Sequence, residues 1–367
     1  MLIAGTAGCS DAQGPQIRLG DSDVVSCYKY GILEPSGDLI GSCIPRLSTG
    51  LTNIFIRFDD NGEFVGRVDI DHPVREFVSP PNTNLSMLTL GERVFVFHGP
   101  GVSAGDPGSE IDMIALEETS RRETVENFSI DPVTGYRVER TRHDGAIRVN
   151  VYDADGASVA RVSNVPDLSG RYGAIMNSYQ GGVLYSFAPH YDDDHNPYVR
   201  VLADAEEIAF IQLSDQRSRI EQASILPDGR IVLIERAHWI TEEMLDGMLL
   251  NRSHFENRLH LIDWRVASAT AMPIILTHDD IHVASGRRLT LQGMQENRLV
   301  LNEGGTLHLV DPASATQSMI FETGCNAPSQ SLLFRDTTDD VICIDWPEQS
   351  QRFLPVRITR RPLESFQ

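Results

Sequence analysis

RLTLQGMQENRLVLNEGGTLHLVDPASATQSMIF, residues 288–321, decides the fold. It contains four short runs in which apolar residues recur or alternate, RLTLQ, RLVLN, TLHLV and QSMIF. They are separated by the turn-forming groups QEN, GG and DPASA. Period-two apolar runs bounded by Gly, Asn, Asp and Pro are the signature of antiparallel strands joined by tight turns. Four of them in about forty residues make one four-stranded antiparallel unit.

The same template slides along the rest of the chain. IFIRF (54–58), VFVFH (94–98), IRVNVYD (147–153), YVRVLAD (198–204), RIVLIE (230–235), LHLID (259–263) and VICID (341–345) are further runs of this kind. Units fall near 24–72, 84–127, 128–166, 171–214, 219–277, 284–323 and 328–360, with a spacing in the high forties. Their third strands end in related turns at Asp59, Asp153, Asp263 and Asp311. One stretch, 241–256 (TEEMLDGMLLNRSHFE), reads as helical, with Thr241 as a cap before Glu242 and Glu243. The expected fold is therefore all-β, a seven-bladed propeller of four-stranded antiparallel blades with one short helical insertion. Six blades result if the second and third units are one. The last unit has room for three strands, and residues 14–20 (GPQIRLG) are expected to supply the fourth. That pairing would close the ring and remove two open sheet edges.

LHLVDPASATQ (307–317) resembles the strand–Asp–Pro–x–Thr turn of the YVTN and quinoprotein amine-dehydrogenase propellers, and Asp131-Pro132-Val133-Thr134-Gly135 is similar. The resemblance implies a propeller over nearly the whole chain. The tryptophan that follows such turns in quinone-binding blades is absent, so no cofactor is expected from it. The opening residues MLIAGTAGC resemble the lipobox of bacterial lipoproteins, which implies lipidation at Cys9. The implied division is a signal remnant and tether at 1–13, one propeller domain at 14–360 and a C-terminal tail at 361–367. The implied address is periplasmic, on the outer membrane.

The remaining cysteines agree with an oxidising compartment. Cys27 and Cys43 flank the turn segment Glu34-Pro35-Ser36-Gly37, so a hairpin places them nearly opposite each other, where a disulfide closes. Cys325 and Cys343 form a second expected pair of similar spacing.

Charge narrows the function. The 367 residues include 31 basic and 52 acidic side chains, a net charge of −21. Such a surface repels nucleic-acid backbones, so nucleic acid is excluded as a general partner. No run approaches the roughly 18 apolar residues of a membrane-spanning helix, so the membrane is reached only through the lipid anchor. The H-E-x-x-H zinc motif and the phosphate-binding P-loop are missing from the sequence, the Gly-rich segment GPGVSAG (99–105) reads as a flexible loop, and no catalytic residue is assigned.

Long connections occur at 99–110, 190–197, 241–257 and 277–287. All join second to third strands, or one unit to the next. The first-to-second and third-to-fourth turns are nearly all tight, so the long connections are expected to share one face. Loops grown on one face of a rigid ring carry its function. His190, Asp192, Asp194 and His195 form one His/Asp cluster there, and His278, Asp279, Asp280 and His282 a second. Asp69, Asp71 and His72 lie in another unit-to-unit connection. Imidazole mixed with carboxylate suits a divalent ion such as zinc, and oxygen-rich groups suit calcium. The expected function is a non-catalytic scaffold that binds another envelope protein or a small ligand through this face. The alternative is an enzyme or enzyme subunit, either a metal-assisted lactonase-like hydrolase or the cofactor-free large subunit of an amine dehydrogenase.

Overall fold

The computed structural model describes residues 25–33, 36–45, 53–61, 63–70, 74–75, 89–90, 93–98, 107–143, 145–167, 175–191, 197–213, 218–245, 248–265, 273–275, 288–325, 330–335, 338–345 and 357–366. These fold into six antiparallel sheets. Sheet 1 holds β1 (Val25–Ile32), β2 (Leu39–Pro45), β3 (Asn53–Phe58) and β4 (Phe64–Ile70). Sheet 2 holds β5 (Val74–Arg75), β6 (Thr89–Leu90), β7 (Arg93–His98), β8 (Pro107–Asp112), β9 (Glu117–Ile130), β10 (Arg137–His143), β11 (Ala146–Tyr152) and β12 (Ser158–Val165). Sheet 3 holds β13 (Met176–Gln180), β14 (Val183–Tyr191), β15 (Pro197–Ala203) and β16 (Glu206–Gln212). Sheet 4 holds β17 (Arg219–Ile225), β18 (Ile231–Leu245), β19 (Met248–Ile262) and β20 (Pro273–Ile275). Sheet 5 holds β21 (Leu289–Gln295), β22 (Arg298–Glu303), β23 (Thr306–Asp311) and β24 (Thr316–Glu322). Sheet 6 holds β25 (Gln330–Arg335), β26 (Asp340–Asp345) and β27 (Arg357–Pro362), followed by the single 3-10 turn Leu363–Phe366.

Each sheet buries its side chains against the next one in sequence. Leu33, Phe55 and Val68 of the first unit pack on Met113 of sheet 2. Val138, Val149 and Val151 pack on Leu184 of sheet 3. Phe187, Val199 and Val201 meet Ile220, Ile225 and Leu233 of sheet 4. Val232, Ile234 and Leu259 meet Leu289, Leu291 and Leu301 of sheet 5. Val300, Leu307 and Leu309 meet Leu332, Phe334 and Val341 of sheet 6. The circuit closes when Arg360 Nη2 of β27 donates to the Gly37 carbonyl, 2.6 Å away in the β1–β2 turn. The molecule is a β-propeller.

First strands lie innermost. Ser178 of β13 touches Ser224 of β17, and Gln222 of β17 bonds the backbone of Leu291 in β21. Fourth strands face water, as the largely exposed patterns of β12 and β16 show. Middle strands such as β22 and β23 have neighbouring sheets on both faces and are buried almost continuously. That is why RLVLN and TLHLV are so apolar. The third-strand aspartates cap the turns that follow: Asp59 Oδ1 accepts from the Asn61 and Glu63 amides, Asp153 Oδ1 from Ala157, and Asp311 Oδ1 from Ala313. The Ser314 hydroxyl and the Ala313 amide hold the Asp311 carboxyl below its ordinary range.

Several expectations need correction. Residues 241–256 are strand, not helix: β18 and β19 pair without a break from Ile231↔Ile262 to Leu245↔Met248. The cause is in the sequence, since Asp246-Gly247 is a strong two-residue hairpin turn. The boundary between 127 and 128 falls inside β9, whose first half pairs β8 and whose second half pairs β10. The second and third expected units are thus one sheet, and a count of seven blades requires treating its halves separately. Residues 361–366 are no loose tail, because Leu363 is buried against sheets 5 and 6. Residues 14–20 lie outside the described residues, as does Cys9.

Cys27 sits directly opposite Cys43 in the β1–β2 ladder, and Cys43 is disulfide-bonded. The Cys325–Cys343 disulfide, with Cα atoms 5.7 Å apart, ties the end of β24 to β26 and so staples sheet 5 to sheet 6. Replacing both Cys325 and Cys343 by Ser should destabilise the oxidised protein by about 3 kcal/mol, read from denaturant unfolding. In the Asp311 turn, Ala315 adopts φ 54°, where the similar Asp131 turn has Gly135 at φ 72°. Ala315→Gly should therefore stabilise the chain by about 0.5 kcal/mol, the relief of left-handed strain exceeding the added chain entropy.

Candidate functional site

The long connections leave from a single end of the strand order. Tyr191 to Pro197 and His98 to Pro107 join second to third strands, the extended β18–β19 hairpin projects from the same end, and Ile275 leads toward β21 of the next sheet. The tight turns at 181–182, 204–205, 226–230 and 296–297 join the other strand ends. Strand order alone puts the two groups on opposite faces of the ring.

The feature that stands out at the long-connection end is a two-stranded ribbon. β17 pairs β18 only through Arg236, and β20 pairs β19 only at Arg258–His260. From Ala237↔Glu256 to Leu245↔Met248, β18 and β19 pair with each other alone among the described residues. Nine pairs at about 3.3 Å per residue project about 30 Å. The ribbon presents Trp239, Ile240, Met244 and Phe255 at 41–67% exposure. Directly paired residues share a face, so Trp239 stacks on His254 (5.5 Å) on one side while His238 stacks on Phe255 (4.6 Å) on the other. Thr241 Oγ1 lies 2.7 Å from His254 Nε2 and fixes that ring. The ribbon thus exposes large apolar side chains on both of its faces, Trp239 on one and Ile240, Met244 and Phe255 on the other.

Of the expected metal ligands, His190 is described. It is the penultimate residue of β14, and its ring stacks on Tyr198 at 5.5 Å, which stacks in turn on Phe210 at 4.5 Å. Burial, and then the Arg200 guanidinium, hold the His190 imidazole below its ordinary range, against the pull of Glu207. Its Nε2 is buried and makes no hydrogen bond among the described residues. Asp192, Asp194, His195, His278, Asp279, Asp280 and His282 lie outside the described residues, as do Asp71 and His72. Asp69 is described and pairs with Arg67 at 2.8 Å on β4. Among the described residues no group of three or more His, Cys, Asp or Glu side chains is arranged to hold a metal ion.

The opposite end carries a site that sequence reasoning saw only as a turn. Asp131, 1% exposed, follows the last residue of β9. Its Oδ1 accepts from Ser224 Oγ (2.5 Å) and the Val133 amide (3.0 Å); its Oδ2 accepts from Ser178 Oγ (2.5 Å) and Thr134 Oγ1 (2.7 Å). One carboxylate therefore bonds sheets 2, 3 and 4 together. Burial raises its pKa, while the Ser178, Ser224 and Thr134 hydroxyls oppose the rise. The Asp-Pro-x-Thr-Gly spelling marked the local turn, but nothing in it named Ser178 or Ser224. Similar buried carboxylates bridge middle strands: Glu139 accepts from Asn150 and Tyr152, and Glu235 contacts His260 at 2.6 Å. His308 stands near Glu303, 3.6 Å away, in the same way. LHLID and LHLVD spell this His in two successive units.

The chain matches no protein-family model and no curated protein. Among solved structures it superimposes on hydrazine synthase of Kuenenia stuttgartiensis with a TM-score of 0.52 at 14% identity, covering 98% of this chain and 99% of that one. Lignostilbene dioxygenase of Pseudomonas brassicacearum matches with a TM-score of 0.52 at 8% identity, covering 95% and 92%. The β-propeller domain of the trilobed protease from Pyrococcus furiosus aligns over 92% of this chain and 97% of that one, at 10% identity and a TM-score of 0.46. The first two likenesses establish a shared fold and carry no chemistry.

Asp131→Ala strands two buried hydroxyls and should cost about 3 kcal/mol. The sign with pH follows from the raised pKa. Between the unfolded and folded values the native state keeps a proton the unfolded chain has lost, so the contribution of Asp131 is greatest in acid and declines as pH rises. Urea unfolding at pH 5 and pH 8 should accordingly show a larger gap between wild type and variant at pH 5.

Proposed function

We propose that this chain is a non-catalytic binding scaffold, held at a bacterial envelope membrane through Cys9, that engages another envelope protein with the long-connection end of its ring. The observation that carries this reading is the 237–256 ribbon, whose Trp239, Ile240, Met244 and Phe255 are exposed on a projection that belongs to no sheet face. Aromatic and large apolar side chains are the usual anchors of protein interfaces. The Cys325–Cys343 disulfide supports an oxidising compartment. In the same reading the His/Asp clusters spelled at 190–195 and 278–282 supply the ligands of a divalent ion.

The test is photo-cross-linking in bacterial envelopes with a reactive side chain at position 239, in the wild type and in a Trp239→Ser, Ile240→Ser, Met244→Ser variant labelled at a neighbouring position. Recovery of one cross-linked protein, reduced tenfold or more in the variant while the melting temperature moves by less than about 2 °C, is the expected result. Equal recovery from both proteins would sink the scaffold reading. Stoichiometric metal in the purified protein together with hydrolase activity would replace it by the enzymatic one.

A further inference from the structure

The backbone of β18 presents an open row of hydrogen-bonding groups along one edge of the ribbon. Arg230, the residue before β18, accepts the Leu226 amide at 2.8 Å, so its carbonyl points toward β17. Successive residues of a strand turn their N–H and C=O groups to alternate sides. β18 pairs β19 from Ile231 to Leu245 with no register shift, so the alternation holds along its whole length. Val232, Ile234 and Arg236 therefore bond toward β17. His238, Ile240, Glu242 and Met244 turn to the same side, beyond the end of β17 at Arg219. No backbone hydrogen bond reaches them there among the described residues. Ile240 and Met244 are 45% and 67% exposed, and Glu242 is exposed as well.

Such a row is a template for another strand. A two-stranded ribbon is marginal in water, and a third strand adds the pairing it lacks. The residues along the row indicate what that strand carries. β18 holds Glu242 and Glu243 in succession, and in the ladder they lie opposite Asn251 and Leu250, so neither faces a cation directly across its own ribbon. Opposite charges placed across a strand pair stabilise it, and like charges destabilise it. A second copy of this chain would bring the same acidic edge and a further net charge of −21 to the contact. A strand with two successive basic residues brings the complement to Glu242 and Glu243. Apolar residues on either side of that basic pair would cover Ile240 and Met244.

We propose that the β18 edge from His238 to Met244 takes up an extended segment of the partner protein as a third strand, a segment with two successive basic residues flanked by apolar ones. The proposal rests on the scaffold reading and narrows it. Main-chain bonds to His238, Ile240, Glu242 and Met244 supply the affinity, and Glu242 and Glu243 select the basic pair.

Fluorescence anisotropy on the full chain would titrate three labelled peptides. They are TVKKTVT, its acidic counterpart TVEETVT, and a form of TVKKTVT N-methylated along its backbone, which keeps every side chain and loses the donors. The titrations would be repeated on Glu242→Gln and Glu242→Pro. Both remove the charge, and proline also removes an outward N–H without breaking a β18–β19 bond. The expected result is saturable binding of TVKKTVT alone, about threefold weaker in Glu242→Gln and tenfold or more weaker in Glu242→Pro. No saturable binding of TVKKTVT, equal binding of either control peptide, or equal binding by Glu242→Pro and Glu242→Gln overturns the proposal. The N-methylated peptide makes the same comparison on the wild type if Glu242→Pro does not fold. A wild-type dimer in sedimentation that Glu242→Pro dissociates would give the edge to a second copy and also overturn it. An envelope cross-link at position 239 that persists undiminished in Glu242→Pro, with no peptide bound, would remove the strand pairing and leave the scaffold reading standing.

Discussion

A carboxylate with no access to water is tolerable only when donors surround it, and the donors must then stay where they are. Asp131 imposes that condition on this ring. Its four hydrogen bonds come from its own turn and from the first strands of the next two sheets. Ser178 is fixed further because its hydroxyl accepts the Ile225 amide at 3.1 Å while donating to Asp131. Apolar contacts between sheets are permissive about a sliding offset of an ångström or so; a carboxylate gripped by two serines from different sheets is not. The apolar clusters supply most of the free energy of association, and Asp131 sets the register in which the sheets associate.

The polar residues of the middle strands extend the same logic outward. Glu139, Glu235, His260 and His308 are all nearly inaccessible, and each carboxylate among them has a neighbour on the adjacent strand. Much of the acidic excess is used in turns, where Asp59, Asp153 and Asp311 bond the backbone amides two to four residues on. An acidic composition in this chain is therefore partly structural.

The ribbon is the one element whose length exceeds what its sheet requires. A blade needs strands of about six residues, as β22, β23 and β26 have, whereas β18 and β19 have fifteen each. An isolated two-stranded ribbon is marginal in water. This one is steadied by cross-strand stacks on both faces, Trp239 on His254 and His238 on Phe255. The stacks still leave Trp239 and Phe255 41% and 42% exposed.

The strands, their order and their turns were legible in the sequence because each depends on contacts a few residues apart. Alternation in IRVNVYD, the Asp-led turns after third strands and the opposition of Cys27 to Cys43 are all local facts. The ribbon reads as a helix in the sequence, because the spacing of Leu245, Met248 and Leu249 fits one, and Asp246-Gly247 is the signal for the hairpin that forms instead. What only the tertiary structure decided is whatever joins distant units: the fusion of two units through β9 and the three-sheet bonding of Asp131. Those residues come from different units, and no periodicity within one strand specifies which side chain of the next sheet it will face. That choice is made by packing, when burial of the apolar faces fixes the offset between neighbouring sheets.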